Sequence, residues 1–330
     1  MITTSKEASV ASIPWRELAR RHGALLVLLL VVAVAGMTLD GFLALGNLNR
    51  VLVSASFLAI IALGMTFVIV TGGIDLSVGT VFALGGVSAA WASQYGSLAL
   101  LVVPLVVCGL IGLLNGVLIA RAGLAPFIVT LATMLGAWGL MLSISDEGNT
   151  TYLVPEGLAL APLVHGRLFG VLGYSFLLVV ALFFVGGLVL RRTTAGQHVY
   201  AVGGDERTAA LMGVPVARTK VAVYTFSGLC AGAAGALNAL WLGSGVTIFG
   251  IGIELQAISA VVIGGTLLTG GYGFVAGTLG GVLLLGVIQN IINAVGTLTS
   301  AFQEVVSGLF LIVVVLIQSR LRGGPTGPVR

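Results

Sequence analysis

FVIVTGGIDLSVG, residues 67–79, sets the reading of the chain. An apolar run meets a helix-breaking glycine pair, then Asp75, Ser77 and a third glycine. The sequence around it is strongly apolar: of 330 residues, 58 % are hydrophobic and 8 % charged, and the mean hydropathy is +1.15. A soluble globular domain carries about 25 % charged residues. So little charge cannot solvate a surface enclosing this much apolar volume, which excludes a cytosolic enzyme, a nucleic-acid binder and a disordered scaffold. The chain reads as an all-α polytopic membrane protein. Its net charge of +4 reports topology, because the cations cluster between apolar segments. Cys108 and Cys230 lie in apolar runs with no Cys or His at metal spacing, so they read as two buried small side chains, with no disulfide or metal.

A membrane-crossing helix needs about 20 apolar residues. Segments that meet or approach this run over 24–44, 51–71, 77–93, 98–119, 124–144, 169–190, 221–243, 254–269, 274–294 and 302–319, ten in all, with the third and eighth short and Gly-rich. Residues 1–23 are too polar to insert and show no secretory signal pattern. With the amino terminus inside, ten crossings leave the carboxyl terminus on the same side. Lys6, Arg16, Arg20, Arg21, Arg121, Arg191, Arg192, Arg207, Arg218, Lys220, Arg320, Arg322 and Arg330 then fall in the cytoplasm, and of the 15 Lys and Arg residues only Arg50 and Arg167 fall outside. The expected organisation is a cytoplasmic segment 1–23, a first membrane half 24–190, a cytoplasmic loop 191–220, a second half 221–319 and a cytoplasmic tail 320–330.

SAVVIGGTLLTGG, residues 259–271, resembles the opening stretch. A shift of 192 positions places Gly72 and Gly73 on Gly264 and Gly265, Ser77 on Thr269, and Gly79 on Gly271. Each copy is followed by an amide-bearing helix, with Asn115 in the first half and Gln289, Asn290 and Asn293 in the second. A five-span repeat would enter the membrane from the opposite side, so two inverted five-helix repeats are expected, as in transporters. The glycine pairs read either as breaks where backbone faces a polar cavity or as ordinary tight turns at the inner surface. Asp75 suits an N-cap accepting a hydrogen bond from the N–H of Ser77 or Val78. As an ionisable group near membrane depth, it is also a candidate sugar-hydroxyl acceptor or proton site. Glu254 reads as the outer end of its span, facing water or an outer vestibule.

Within the inner loop, GGDERTAALMGVP, residues 203–215, is punctuated as a very short helix: Asp205 as N-cap, Glu206 in the first turn, Gly213 at the left-handed end and Pro215 beyond. It offers Ala209, Leu211 and Met212 on a surface that no span covers. It is either a solvated surface helix or a knob for a cytoplasmic partner. No P-loop is present, since neither Lys6 nor Lys220 follows a glycine-rich loop. His22, His165 and His198 have no neighbours that would make a catalytic set. No enzymatic activity and no cofactor are expected.

TGGIDLSVG at 71–79, YAVGGDERTAALMGV at 200–214 and AISAVVIGGTLLTGGYG at 257–273 resemble the permease subunits of bacterial ABC importers for ribose, xylose, arabinose and related monosaccharides, over roughly residues 58–318. Residues 202–213 and 254–298 look most like the permease of a galactofuranose importer. The resemblance implies a type II importer-like fold in the bacterial inner membrane. It implies partners as well: a separate ABC ATPase subunit, a periplasmic sugar-binding protein, and a second permease of the same or a related chain. Asp205, Glu206, Arg207, Thr208, Leu211, Met212 and Gly213 would form the helix that seats in the ATPase. Gly72, Gly73, Asp75, Ser77 and Gly79, with Gly264, Gly265, Thr266 and Thr269, would line the sugar path together with Asn115 and Gln289, and Asp75 would touch sugar or only cap a helix. Asp205 stands where many relatives have Asn, an equally competent cap. Tyr272 stands where many have a basic residue, which puts an inner-surface phosphate or lipid contact there in question. Two other readings stay open: an ion-coupled sugar carrier using Asp75, and a scaffold or channel without pumping.

Overall fold

The computed structural model describes residues 15–170 and 172–295, together with isolated helical positions at 302, 305, 308, 309, 312 and 316. In chain order the helices are α1 (Trp15–Thr38), α2 (Leu45–Val70), α3 (Val78–Ala92), α4 (Ser97–Arg121), α5 (Pro126–Ile144), α6 (Pro162–His165), α7 (Tyr174–Arg192), α8 (Thr194–Gly204), α9 (Glu206–Leu211), α10 (Val216–Leu242), α11 (Ile253–Ile263) and α12 (Val275–Val295). Two-residue strands, β1 (Arg167–Leu168) and β2 (Leu172–Gly173), pair between α6 and α7. Each expected apolar segment as far as residue 294 coincides with one helix. Apart from those isolated positions, the expected span 302–319 lies outside the described residues, as do residues 1–14 and the tail 320–330.

Among the described residues six are long and apolar enough to cross a membrane: α2, α4, α5, α7, α10 and α12. α3 has 15 residues and α11 has 11; at 1.5 Å per residue they reach only ~22 and ~16 Å of the ~30 Å hydrocarbon core. The two short elements adjoin the two glycine-rich stretches.

α10 is the central post, with α2, α3 and α4 packed around it. It runs antiparallel to α4, and small residues allow the backbones to touch: a Cβ on Gly228 would strike the Cys108 carbonyl, and one on Gly112 the Tyr224 carbonyl. Cys108 and Cys230 are buried, as expected, and the Cys108 thiol donates to the Val81 carbonyl at 3.3 Å. Polar pairs join α2 to α12, namely a buried one between Thr66 and Thr278 at 2.9 Å and a half-buried reciprocal amide pair between Asn47 and Asn290 at 2.9 and 3.0 Å. These pairs make α2 and α12 antiparallel.

Both glycine-rich stretches end their helices in the same way. The Gly72 N–H bonds to the Ile69 carbonyl and the Gly73 N–H to Val68; the Gly265 N–H bonds to Val262 and the Thr266 N–H to Val261. These are paired Schellman caps, with the left-handed residue at Gly72 (φ 79°) and Gly265 (φ 93°). The conformational match is therefore Gly72 with Gly265, one residue off the register read from sequence. The inverted relation does not hold for these stretches. α11 is antiparallel to α12, since Ala260 meets Gly281 and Gly264 meets Gly277, so α11 runs parallel to α2. Their ends join directly, the Gly271 N–H donating to the Val70 carbonyl at 2.9 Å. From α2 the apolar helices follow as α3, α4, α5, α7, α10 and α11, and six reversals of direction return the chain to that of α2.

α10 ends at Gly243 (φ 71°), and residues 244–252 turn back into the protein through a 3-10 turn, Thr247–Gly250. The connection between α5 and α6, the outer connection of the expected topology, is laced to this re-entrant segment: the Val154 N–H donates to the Gly243 carbonyl at 2.8 Å and the Gly245 N–H to the Tyr152 carbonyl at 3.0 Å. Gly250 and Glu254 lie against Gly79. Gly79 is near Val81, which Cys108 holds level with Gly228 and Gly232 in the middle of α10. Glu254 is thus half-buried at mid-bundle, not at the outer end expected, because α11 begins only after the chain has re-entered. Replacing Gly228 with Leu should push α4 off α10, with overpacking of about 1–3 kcal/mol or more; loss of the monodisperse peak in detergent gel filtration would register it, and an unaltered profile would contradict the packing described.

Candidate functional site: two helix breaks and a short capped helix

After the Schellman cap at Gly72, the chain turns back from the end of α2 to start α3. Asp75 is 1 % exposed there, and a carboxylate so placed must be hydrogen-bonded. Its Oδ1 accepts the Ser77 N–H at 3.1 Å and the Ser77 hydroxyl at 2.6 Å; its Oδ2 accepts the Ser227 hydroxyl from α10 at 2.9 Å. Ser77 Oγ in turn accepts from the Asn115 amide on α4 at 3.0 Å, and Asn115 Oδ1 accepts from Thr133 on α5 at 2.7 Å. The Tyr224 hydroxyl reaches the Ile74 carbonyl at 3.4 Å. A continuous buried polar chain therefore ties the first break to α4, α5 and α10.

Asp75 does accept from the Ser77 N–H, one of the two donors expected, while α3 itself opens at Val78. Of the expected pathway residues, Asp75, Ser77 and Asn115 are brought into direct contact. Gly73 and Gly79 are buried beside them and Gly72 is exposed. At the second break Gly264 packs on Gly277, Thr266 is buried, Gly265 is half-buried and Thr269 is exposed. Gln289 is half-buried on α12. Sequence reading missed Ser227, Thr133 and Tyr224. Each is one of several hydroxyls within a mainly apolar helix and carries no local signal; only the fold makes it a partner.

The inner loop is mostly helical. α8 is capped by Thr193, whose hydroxyl accepts the Gly196 N–H at 3.2 Å, and its far end lies at the joined breaks, where the Tyr200 hydroxyl donates to the Gly273 carbonyl at 2.6 Å. One residue later α9 starts. Asp205 caps it, accepting the Thr208 N–H at 2.6 Å, and Gly213 (φ 83°) closes it. The hydrogen bonds from Thr208 hold the Asp205 carboxyl below the usual carboxylate range. The cap is therefore in force at neutral pH and is lost only as pH falls through that lowered value. Glu206 bonds Lys220 on α10 at 2.6 Å, while Glu206, Arg207 and Thr208 are exposed. Leu211 and Met212 are 85 % and 79 % exposed. Ala209, expected on the same uncovered surface, is instead buried at 3 %, because the face of α9 that carries it rests on α8 and α10.

A cavity of about 490 Å³ opens between α2, α7, α8 and α10. Leu63, Phe67, Val223 and Phe226 make it apolar, with His198 and Arg218 also lining it, and none of the expected pathway residues faces it. Tyr272 packs edge-on against Phe274 with ring centroids 6.0 Å apart.

Residues 47–315, nearly the whole described bundle, match a family described as the permease component of branched-chain amino acid transport systems. The chain belongs to this permease family. The permease is also 39 % identical over 289 residues to the inner membrane ABC transporter permease protein YjfF of Escherichia coli, covering 85 % of this chain and 86 % of that one. It is 35 % identical over 303 residues to the ribose import permease protein RbsC of Bacillus subtilis, covering 91 % and 93 %. It is 34 % identical over 306 residues to the fructose import permease protein FruG of Bifidobacterium longum, covering 89 % of each chain. No solved structure is significantly similar. The family and the six long apolar helices make the permease a multi-pass membrane protein.

In the permease, Asp75→Ala orphans the buried Ser77 amide, a loss of about 1–3 kcal/mol for that group alone. Asp75→Asn keeps one oxygen for Ser77 and offers an N–H₂ to Ser227. Thermal unfolding in detergent should rank wild type above Asn and Asn above Ala; an Ala variant as stable as wild type would remove the network's structural role.

Proposed function

We propose that this chain is the membrane permease of an ATP-binding cassette importer that carries a monosaccharide from periplasm to cytoplasm. ATP hydrolysis takes place on a separate subunit, and a binding protein delivers sugar at the outer loops. The observation that carries this reading is α9: a capped helix of six residues, marginal alone in water, holds Leu211 and Met212 almost fully exposed beside the joined helix breaks. Such a helix suits a cleft in a cytoplasmic motor. The printed names of the ribose and fructose relatives support the substrate class. Ribose, fructose and galactofuranose are the sugars to compare.

Both chain ends lie in the cytoplasm in this reading, and two permeases, identical or related, form the gate. The path opens when the two breaks part. Ser77, Thr266, Thr269, Asn115 and Gln289 then offer uncharged hydrogen-bonding groups for transient contacts, since a path that binds tightly does not release. The geometry of Asp75 weighs against an ion-coupled carrier. Its carboxylate oxygens already accept Ser77 and Ser227 hydroxyls at 2.6 and 2.9 Å, so tying the turn before α3 to α10 accounts for the carboxylate without an ion.

Proteoliposomes containing the permease, its ATPase and its binding protein should take up labelled sugar only with ATP and binding protein present. Uptake driven by an imposed proton or sodium gradient without ATP would overturn the proposal. Leu211→Glu should leave insertion and ATP hydrolysis intact while cutting uptake by about tenfold or more, as expected when a charge is buried in a docking cleft; full uptake by this variant would show that α9 docks on nothing.

A further inference from the structure

α8 and α9 are joined by the single residue Asp205, so α9 cannot move without carrying the end of α8 with it. That end is buttressed by backbone alone. A Cβ on Gly203 would overlap the Val70 carbonyl and crowd the Gly271 amide. The same carbonyl accepts the Gly271 N–H at 2.9 Å, and Gly270 lies against Gly72 and the Gly203 carbonyl. Three main chains therefore meet with no side chain between them: the end of α2 at the first break, the turn after α11 at the second, and the end of α8. Side chains absorb displacement by changing rotamer, whereas touching main chains pass it on. We propose that Gly203 is the positioning residue through which displacement of α9 reaches both helix breaks together.

The inference rests on α9 being the helix on which the ATPase acts. Gly204 supplies the comparison. A Cβ at Gly204 meets open space, and alanine is the better helix former at both positions, so propensity alone predicts that neither substitution harms.

The test is uptake and ATPase activity side by side in proteoliposomes holding the assembled importer. Gly203→Ala should lower uptake by about tenfold or more at near wild-type ATPase rate, the magnitude expected of a tight overpacked contact, while Gly204→Ala matches wild type. Tyr200→Phe removes the neighbouring bond to the Gly273 carbonyl without adding volume, and should lower the ratio of sugar moved to ATP hydrolysed by a few-fold. Normal uptake by Gly203→Ala, or equal losses in both alanine variants, overturns the inference. If Gly203→Ala does not reach the membrane, an unchanged ratio in Tyr200→Phe overturns it instead. Failure of the wild type to show ATP-dependent uptake tells against the function proposed above and not against this contact.

Discussion

A helix broken inside an apolar bundle frees backbone N–H and carbonyl groups that lipid cannot satisfy, and every one must find a partner within the protein. That constraint organises this permease. The Schellman caps at Gly72 and Gly265 take up carbonyls in the last turn of each helix, Val68 and Ile69 in α2 and Val261 and Val262 in α11. The Val70 carbonyl, at the end of α2, is satisfied by the Gly271 N–H of the other break. Each interruption thus completes the other, which is why two stretches almost two hundred residues apart share a composition of paired glycines.

Where backbone cannot finish the task, Asp75 does. Its two oxygens collect a main-chain amide and two hydroxyls from separate elements, so the reversal between α2 and α3 is pinned to the central post. A neutral apolar residue there would have filled the space and left the Ser77 amide with nothing to donate to. The price of the carboxylate is its own desolvation, which the accepted hydrogen bonds offset. Turn and network are one object: the group that closes the turn before α3 also ties it to α4, α5 and α10.

Much of this was legible in the residues. Hydropathy placed each helix from α1 to α12 that lies in an apolar segment, because a bilayer-scale apolar run admits few alternatives. Asp205, Gly213 and Pro215 framed α9, because caps are local chemistry. Asp75, Ser77 and Asn115 were selected together and do touch. What failed required knowledge of other parts of the chain. Glu254 looked terminal because the apolar run begins there; its depth is set by the re-entrant residues 244–252, which hydropathy reads as an ordinary loop. Ala209 was given to the open face because α8, which covers it, is too polar and too short to announce itself. The two glycine-rich stretches were expected to be inverted copies, yet the helices that they end, α2 and α11, run parallel, and their register slipped by one because letters were aligned where φ angles decide. Ser227 and Thr133 had no signal at all.

The lacing of the outer connection to residues 243–245 has a dynamic consequence. A polar surface loop with Pro155 and Pro162 would ordinarily exchange its amides freely and unfold by itself. Here the Val154 amide closes onto the Gly243 carbonyl, and the Gly245 amide, from the segment that descends to Gly79, closes onto the Tyr152 carbonyl of the connection. They can open to solvent only when that segment lifts, so loop and interior form one cooperative unit for hydrogen exchange.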